Sequence, residues 1–305
     1  MHALVTGGAG FIGSHSVEAL LECGAEVTVL DNFSTGKREH LPQHPALRVI
    51  VGDIRDSAVV AGAMRGVSHV LHLAAQVSVQ SSVEDPAQSA NHNVAGFLNV
   101  ADCARQQVDV RLVYASSAAV YGAPTLLPLD ETSNCEPTSP YGLEKLINDQ
   151  YAKLFSALYG LKVLGLRYFN VYGPRQDPAS PYAGVISRFA ARLGNDEPLT
   201  IFGDGEQTRD FVFVRDVARV NVAALRSDAR GILNIGSGVS VSLLQLVKTL
   251  GNCAGRTPKM QFAPALPGDI RHSSMRPARM HETLDIPPPT TLAEGLGTLV
   301  QPAEH

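Results

Sequence analysis

A tyrosine and a lysine four residues apart are the pair in this chain whose spacing points most directly to chemistry. Tyr141 and Lys145 follow Ser139 and Pro140, and a serine before a proline is typical of a helix start. Residues four apart lie on one face of a helix. A lysine ammonium there favours the phenolate, lowers the pKa of the tyrosine and suits it to act as a base near neutral pH. A solvated helix face has the same spacing, so the pair alone does not establish catalysis.

The N-terminal residues predict a dinucleotide-binding turn. A strand over residues 2–6 is followed by a glycine-rich turn over 7–13, a helix over 16–23 and a strand over 26–30 that ends at Asp31. In such a unit the glycines allow a tight turn, a close approach of backbone N–H groups to a pyrophosphate, and packing of the helix on the strand. These glycines are Gly7, Gly10 and Gly13. The pattern predicts a bound dinucleotide, with an ordinary glycine-rich turn as the alternative.

Asp31 indicates which dinucleotide would bind. An acidic residue at the end of the second strand binds the two hydroxyls of the adenosine ribose, and its charge would repel the 2′-phosphate of NADP. The N-terminus of the preceding helix offers the positive end of its dipole to the pyrophosphate. The sequence therefore favours NAD.

Strands and helices continue to alternate after this unit, which predicts a parallel, doubly wound α/β sheet with ligands at the carboxyl ends of its strands. Asp53 follows one predicted strand and could accept a hydrogen bond from the adenine amino group. Ala74 and Ala75 follow the next and are small enough for a cofactor to pass close to the strand end. The predicted elements are strands over residues 47–51, 68–73 and 111–115 and a helix over 93–106.

Ser116 and Ser117 follow the strand over residues 111–115 and would face the same crevice as Tyr141. Serines at a strand end are more often turn formers than catalytic groups. Beside a Tyr–Lys helix and a dinucleotide turn, however, they complete a set of hydroxyl, phenol and ammonium groups. The three features together predict one catalytic crevice.

Composition argues against several other classes of function. The 305 residues carry a formal net charge of −4 with a pI near 6.2, which gives no electrostatic reason to expect nucleic acid or an anionic membrane surface as a partner. The four cysteines are scattered without metal-ligand spacing, as in a reduced, cytosolic protein. His69 and His72 are interpreted as structural. No apolar run approaches the ~18 residues of a membrane span, so we expect a cytoplasmic protein with no metal and no membrane partner.

Several short motifs in fixed order make the chain similar to the extended short-chain dehydrogenase/reductase family. It most resembles the UDP-hexose 4-epimerase group, and within it the branch that acts on UDP-N-acetylglucosamine. The resemblance covers residue 1 to about residue 280, and its motifs are TGGAGFIG, HLAA, SSAAVYG, YGLEK, RYFNVYGP and QTRDFVFVRD.

This resemblance implies two lobes and a tightly bound NAD+. A Rossmann domain with a doubly wound parallel sheet would occupy residues 1–168, with return segments around 211–238. A smaller, mixed α/β lobe that binds the UDP-sugar would occupy residues 169–305 discontinuously. A homodimer would form through helices near residues 93–106 and 143–158.

The resemblance also implies a role for each residue of the crevice. Tyr141 would exchange a proton with the sugar O4, and Lys145 would bind the nicotinamide ribose and depress the pKa of Tyr141. Ser117 would hydrogen-bond O4 and relay the proton, with Ser116 as the alternative. Hydride would pass from C4 to NAD+ and return to the other face of a 4-keto sugar.

Two residues beside the crevice separate epimerisation from related reactions. Family members that remove water across C5 and C6 carry an Asp-Glu pair directly after the catalytic hydroxyl residue, and decarboxylases usually keep the glutamate. Ala118 and Ala119 stand at these positions and can move no protons. The sequence therefore favours a 4-epimerase over a dehydratase or a decarboxylase.

The cofactor contacts that we expect lie at the carboxyl ends of the predicted strands and on the catalytic helix. They are Gly7, Gly10, Phe11, Ile12, Gly13, Asp31, Asn32, Ser34, Gly36, Asp53, Ile54, Leu73, Ala74, Ala75, Gln76, Tyr141, Lys145 and Tyr168.

The substrate contacts implied by the resemblance lie mostly in the second half of the chain. Phe202 would pack near the uracil, and Arg209 and Arg271 would bind the diphosphate. Ser273, within GDIRHS, stands where epimerases limited to non-acetylated sugars carry a tyrosine, so it would leave room for an acetamido group beside C2. The full set is Ser78, Ser117, Asn170, Val185, Phe202, Arg209, Arg271 and Ser273.

The sequence therefore predicts an NAD+-retaining epimerase that interconverts UDP-GlcNAc and UDP-GalNAc, for a surface polysaccharide. The alternatives are a UDP-glucose/UDP-galactose or UDP-hexuronic acid 4-epimerase, and a nucleotide-sugar-binding protein without activity. Two departures from the family bear on the phosphate contacts: an arginine often found just before GDIRHS is absent, and so is an acidic residue after Ser273.

Overall fold

The computed structural model describes residues 1–178, 184–265 and 270–300. Gly268 and Asp269 of the GDIRHS motif lie outside the described residues. The strands are β1 His2–Thr6, β2 Glu26–Asp31, β3 Leu47–Val51, β4 His69–His72, β5 Arg111–Ser117, β6 Lys162–Tyr168, β7 Asn170–Tyr172, β8 Leu199–Phe202, β9 Thr208–Phe213, β10 Gly231–Ile235, β11 Ser240–Ser242 and β12 Met260–Ala263.

Helices connect most of these strands. The helices are α1 Phe11–Glu22, α2 Ser57–Ala63, α3 Val79–Glu84, α4 Pro86–Ala90, α5 Gly96–Arg105, α6 Pro140–Tyr159, α7 Val185–Gly194, α8 Val214–Arg226, α9 Leu243–Ala254, α10 Ala278–Thr283 and α11 Leu292–Val300. A π-helical turn over Asn91–Ala95 precedes α5, and short 3₁₀ helices span Arg38–His40 and Ala118–Tyr121.

Seven parallel strands form the main sheet in the order β10-β6-β5-β4-β1-β2-β3. The chain reverses its direction of winding between β1 and β4, and ligands of such sheets bind at this point, outside the carboxyl ends of the strands. The predicted α/β Rossmann architecture is thereby confirmed. Two smaller sheets, β11-β9-β7 and β12-β8, accompany it, whereas the residue limits of the two lobes stay a prediction.

Hydrophobic residues cover both faces of the main sheet. Val17 and Leu20 of α1 and Val217 of α8 pack on one face, while Val60 of α2 and Phe97 of α5 pack on the other. A third cluster lies among β8, β9, α7, α9 and α11. The sheet is therefore buried on both sides, as parallel sheets generally are.

Three predicted boundaries differ from those observed. The helix predicted over 16–23 begins at Phe11, because Gly10 is extended and acts as its N-cap. The strand predicted over 111–115 continues to Ser117, which pairs with Tyr168 of β6. The helix predicted from residue 93 is regular only from Gly96, after the π-helical turn.

Helix α6 carries the Tyr–Lys pair and has the predicted ends. The Ser139 hydroxyl accepts a hydrogen bond from the backbone N–H of Gly142, and Gly160 ends the helix with a left-handed φ of 70°. The outer face of the helix exposes Leu154 and Leu158. The homodimer expected through this helix stays a prediction.

A buried ion pair holds the middle of α6 against the sheet. Arg167 of β6 donates to the Asp149 carboxylate at 3.0 Å, and the Tyr114 hydroxyl donates to its other oxygen at 2.8 Å. Arg167 also donates to the Tyr121 hydroxyl at 2.8 Å. Because Asp149 lies one turn after Lys145, this pair fixes the helix directly below the crevice.

We expect Arg167→Met to lower the free energy of unfolding by about 3–5 kcal/mol, because it leaves the Asp149 carboxylate buried without its cation. Denaturant titration monitored by circular dichroism measures the effect. Lys162→Met is the matched control, since Lys162 pairs with Asp109 at the surface and exposed pairs contribute little. An equal loss in both variants would show that burial of the Arg167 pair has no special importance.

Candidate active site

The turn between β1 and α1 is built so that backbone alone lines it. Gly7 has a φ of 68°, and a Cβ there would lie 2.7 Å from the backbone nitrogen of Ala74. A Cβ on Gly13 would meet the Gly7 carbonyl oxygen and lie 2.8 Å from the Gly8 Cα. Any side chain would therefore fill the space that the turn leaves at the start of α1. Such a cradle fits a pyrophosphate approaching the helix N-terminus.

Asp31 lies beside this turn at the end of β2 and is buried. One of its carboxylate oxygens accepts from the backbone N–H of Ala9 at 2.9 Å, and the other from that of Phe33 at 2.8 Å. Each oxygen keeps a further lone pair. A Cβ on Gly36 would lie 3.1 Å from the carboxylate, so Gly36 leaves one side of Asp31 open. The arrangement fits the two hydroxyls of a ribose.

Asp53 follows β3 in a small polar group with its neighbours. Its carboxylate accepts from the Arg55 guanidinium at 2.9 and 2.8 Å and from the Asn32 amide at 3.0 Å. Asn32 in turn accepts from the backbone N–H of Ser34 at 3.0 Å. The hydrogen bond from Arg55 holds the pKa of Asp53 well below its usual range. An adenine amino group would have to share this carboxylate with Arg55, and the contact stays a prediction.

A clamp that the sequence did not reveal holds the segment after β4. The Asn93 amide accepts from the Gln76 backbone N–H at 2.8 Å and donates to the Gln76 carbonyl at 2.9 Å. Asn93 also donates to the buried Glu144 carboxylate at 2.6 Å, which accepts from Ser89 at 2.8 Å. Asn93 thus ties the Leu73–Gln76 strand end to α6. The only signal in the sequence was a lone asparagine at the start of a predicted helix.

The Tyr168 hydroxyl is engaged in the core, so a contact of Tyr168 with the cofactor would have to use other atoms and stays a prediction. The hydroxyl donates to Asn221 at 2.6 Å, and Asn221 donates to Ser16 at 2.9 Å. Burial raises the pKa of Tyr168 far above its usual value. The side chain therefore belongs to the core between β6, α8 and α1.

The hydroxyl groups of Ser117 and Tyr141 lie close enough for Ser117 to favour the phenolate form of Tyr141. The Lys145 ammonium lies 5.7 Å from the centre of the Tyr141 ring and donates to the Ala115 carbonyl at 2.9 Å. The Ser116 hydroxyl is buried and has no partner among the described residues. The structure thus brings Ser117, Tyr141 and Lys145 together and leaves Ser116 outside the contact.

The pKa of Tyr141 is raised in the chain alone, and Lys145 is not among the groups that lower it. Burial of the phenol is the main cause, the hydrogen bond with Ser117 acts in the opposite direction, and the Glu144 carboxylate raises the pKa further. Burial also lowers the pKa of Lys145 to about 8, although Asp149 and Glu144 favour its charged form. Ser117 is therefore the side chain that most favours the phenolate in the chain alone.

A cleft of about 670 Å³ lies in the half of the molecule built on β7, β8, β9 and α7. Val79 of α3 also lines it, and Ser82 of the same helix accepts from the Tyr141 backbone N–H at 3.1 Å. Asn170, Val185, Phe202 and Arg209 of the predicted substrate contacts line the cleft, and so do Arg188, Arg192 and Gln207, which the sequence did not single out. Among the described lining residues there are arginines but no carboxylates. The cleft therefore suits a negatively charged ligand with an apolar or aromatic portion.

Three other predicted substrate contacts are not among the described residues that line this cleft. The Ser78 hydroxyl caps α3 by accepting from the Ser81 backbone N–H at 2.9 Å. Arg271 donates both arms of its guanidinium to Asp204 at 2.7 Å each. Ser273 donates its backbone N–H to the Thr208 carbonyl at 3.0 Å, which places it next to the strand that carries Arg209. Their contacts with substrate stay predictions.

Within the residues that the structure describes, no group of histidine, cysteine, aspartate and glutamate side chains could hold a metal ion. In the same residues, no helix has the length and apolar character needed to cross a membrane.

Comparison with known proteins places this chain in one family. The model of the NAD-dependent epimerase/dehydratase family matches residues 3–236. The chain is 38% identical over 309 residues to the UDP-glucose 4-epimerase of Mycolicibacterium smegmatis, a match that covers 99% of this chain and 98% of that protein.

Two solved structures share the fold over nearly their whole length. The UDP-N-acetylglucosamine 4-epimerase from Methanobrevibacter ruminantium, in complex with UDP-N-acetylmuramic acid, has a TM-score of 0.94 and 36% identity, covering 98% of this chain and 96% of that one. The Thermus thermophilus UDP-glucose 4-epimerase in complex with NAD has a TM-score of 0.90 and 41% identity, covering 98% of both chains.

We expect Gly13→Ala to reduce the NAD content of the purified protein strongly, because the new methyl group would meet backbone atoms of Gly7 and Gly8 that cannot swing away. Cofactor released by heat or acid and quantified by chromatography measures the effect. Gly62→Ala is the control, since a Cβ at Gly62 in α2 would meet nothing within 4 Å. Full NAD occupancy in Gly13→Ala would contradict this account of the turn.

Proposed function

The chain belongs to the NAD-dependent epimerase/dehydratase family as a UDP-sugar 4-epimerase, and we propose that its preferred substrates are UDP-GlcNAc and UDP-GalNAc. The observation that carries the epimerase assignment is the contact between Ser117 and Tyr141 at the carboxyl end of β5. The two residues that follow Ser117, Ala118 and Ala119, cannot transfer protons. A cytoplasmic homodimer that serves surface polysaccharide synthesis remains a prediction from the family resemblance.

Two features of the crevice fit NAD+. The glycine turn has no side chains that would block a pyrophosphate, and each Asp31 carboxylate oxygen can accept a further hydrogen bond from a ribose hydroxyl. When bound, NAD+ supplies a reversible two-electron oxidation of the sugar C4. Gly7, Gly10 and Gly13 would hold its pyrophosphate, Asp31 its adenosine ribose, and Lys145 its nicotinamide ribose. The buried Lys145 ammonium is fixed to Ala115, so it is already oriented towards the end of β5.

Tyr141 and Ser117 together can move a proton to and from the sugar O4. The Tyr141 oxygen accepts the proton as C4 is oxidised and returns it when C4 is reduced on its other face. Burial disfavours the phenolate of Tyr141. Among this chain's own side chains, Ser117 is the one that stabilises that phenolate. The pair thus performs general acid–base catalysis without any net change in the protein.

Ala118 and Ala119 support epimerisation over elimination. They begin the 3₁₀ helix that follows Ser117 directly, where a dehydratase needs an acid and a base for C5 and C6. Methyl groups can supply neither. The sugar can therefore be oxidised and reduced at C4, but this part of the site offers no group to remove water.

The cleft beside the crevice suits a uridine diphosphate. Arg188, Arg192 and Arg209 supply positive charge along it, and an arginine fork binds phosphate oxygens well. Phe202 lines the same cleft and offers a flat apolar surface to the uracil. The UDP part would thus be held at one end while the sugar reaches Tyr141.

The preference for acetylated sugars rests on Ser273 and on the M. ruminantium structure. Ser273 is bonded to Thr208, the neighbour of Arg209, and its small side chain would leave room beside C2 of a sugar on that side. UDP-glucose and UDP-galactose are the second candidate pair, because the M. smegmatis and T. thermophilus proteins are UDP-glucose 4-epimerases. A binding protein without activity is disfavoured by the intact Ser117, Tyr141 and Lys145.

We expect Tyr141→Phe to lose about 100- to 10,000-fold in kcat while it keeps NAD and UDP-sugar, because only the proton-transferring hydroxyl is removed. Tyr151→Phe is the control on the same helix, since Tyr151 lies partly exposed on the outer face. Product formation is followed by chromatography of the UDP-sugars. Wild-type turnover by Tyr141→Phe would refute its role.

We expect the wild-type protein to convert UDP-GlcNAc with a higher kcat/KM than UDP-Glc, and Ser273→Tyr to reverse this order. The added ring should lower kcat/KM for the acetylated pair by roughly tenfold or more and leave that for UDP-Glc within about twofold. Ser273→Ala, which adds no bulk, should behave as wild type. Turnover of UDP-glucuronic acid alone, or an unchanged preference in Ser273→Tyr, would contradict the proposal.

A further inference from the structure

A glycine of the last described helix packs against an aromatic ring in the wall of the substrate cleft. Gly295 of α11 is buried. A Cβ at this position would meet the Tyr172 hydroxyl and lie 2.8 Å from Cζ and 3.0 Å from Cε2 of the same ring. Real Cβ contacts below about 3.0 Å are essentially unknown. Even an alanine here would therefore displace either the ring or the helix.

The Tyr172 ring is buried with two phenylalanines next to the cleft. It lies 5.6 Å from the ring of Phe213 and 6.4 Å from that of Phe211, and all three side chains are buried. Tyr172 and Phe211 also line the cleft, so the cleft is open space next to this aromatic group. The Tyr172 hydroxyl has no hydrogen-bond partner among the described residues, so packing alone sets the position of the ring.

The segment that leads into helix α11 is tied to α8, and the helix itself is packed into the core. The buried Asp216 carboxylate of α8 accepts from the backbone N–H of Thr290 at 2.8 Å and from its hydroxyl at 2.9 Å. Thr291 donates its backbone N–H to Glu294 at 2.9 Å, which closes the first turn of the helix. Leu296, next to Gly295, is fully buried in the third hydrophobic cluster.

We propose that helix α11 sets the depth of the UDP-sugar cleft, with Gly295 as the positioning residue that keeps the Tyr172 ring out of the ligand space. The proposal deepens the proposed function and rests on it in one respect, namely that this cleft binds the UDP part of the substrate. It extends the binding site to a helix outside the matched family region of residues 3–236. Gly295 touches neither cofactor nor the reacting atoms, so it acts through Tyr172 alone.

The test is Gly295→Ala in the NAD-containing protein, with UDP as the probe in isothermal titration calorimetry. Overpacking a filled site should push Tyr172 into the cleft and raise the Kd for UDP by roughly tenfold. The KM of the UDP-sugar should rise with it, while kcat at saturation stays within about twofold and the NAD content is unchanged. A structural role alone would lower the melting temperature and leave the Kd unchanged, which would overturn the proposal.

Gly194→Ala is the matched control. Gly194 is the last residue of α7 in the same half of the molecule, and a Cβ there would meet nothing within 4 Å. Its Kd for UDP should equal that of the wild type. A tenfold loss in this variant as well would overturn the proposal, because any added methyl group would then have the same effect.

A second variant covers the case in which Gly295→Ala does not fold. Combining it with Tyr172→Leu removes the hydroxyl and the ring atoms that the new methyl group meets, so the double variant should fold and bind UDP within about threefold of Tyr172→Leu. If Tyr172→Leu folds and the double variant does not, the clash is not with the Tyr172 ring and the proposal is wrong. Tight UDP binding by a wild-type protein that epimerises no UDP-sugar would refute the proposed function and leave this inference intact.

Discussion

The contact between the Ser117 and Tyr141 hydroxyl groups is the one on which the rest of the site depends, because its two partners come from different elements. Ser117 is the last residue of β5 and Tyr141 is in the first turn of α6. The helix reaches the strand end closely only because Gly142 has no side chain, since a Cβ there would lie 2.6 Å from the Ala119 carbonyl oxygen. The Ser82 hydroxyl also fixes the start of α6, because it accepts a hydrogen bond from the Tyr141 backbone N–H at 3.1 Å.

Burial both enables and opposes the chemistry of this site. It fixes Tyr141 and Lys145 in the positions that the proposed proton transfer requires, yet it disfavours the charged form of each. The protein offsets part of this cost with charged groups below the crevice, namely Asp149 and Glu144 beside Lys145. Arg167 and Tyr114 hold Asp149 in turn, so the core under α6 contributes to the electrostatics of the crevice above it.

The sequence predicted what local rules and topology determine. Turn glycines, a serine cap and alternating strands are local signals, and in a parallel sheet the carboxyl ends of the strands must meet at one edge. The Asn93 clamp and the packing of Gly295 on Tyr172 join residues far apart in the chain, and no local sequence pattern predicts either contact. The low pKa predicted for Tyr141 is not found in the chain alone. Spacing reveals a nearby ammonium but not the loss of water around the phenol.

The position of β10 has a consequence for how this molecule could be divided. The chain leaves the main sheet after β6, builds β7, β8, β9, α7 and α8, and returns to add β10 alongside β6 over Gly231–Ile235. A fragment cut at residue 168 would keep the glycine turn and the catalytic trio but leave β6 as a bare sheet edge, open to pairing with another chain. The regions proposed to bind cofactor and substrate are therefore not separable. The strand that completes the main sheet, β10, comes in the chain only after the strands that line the cleft.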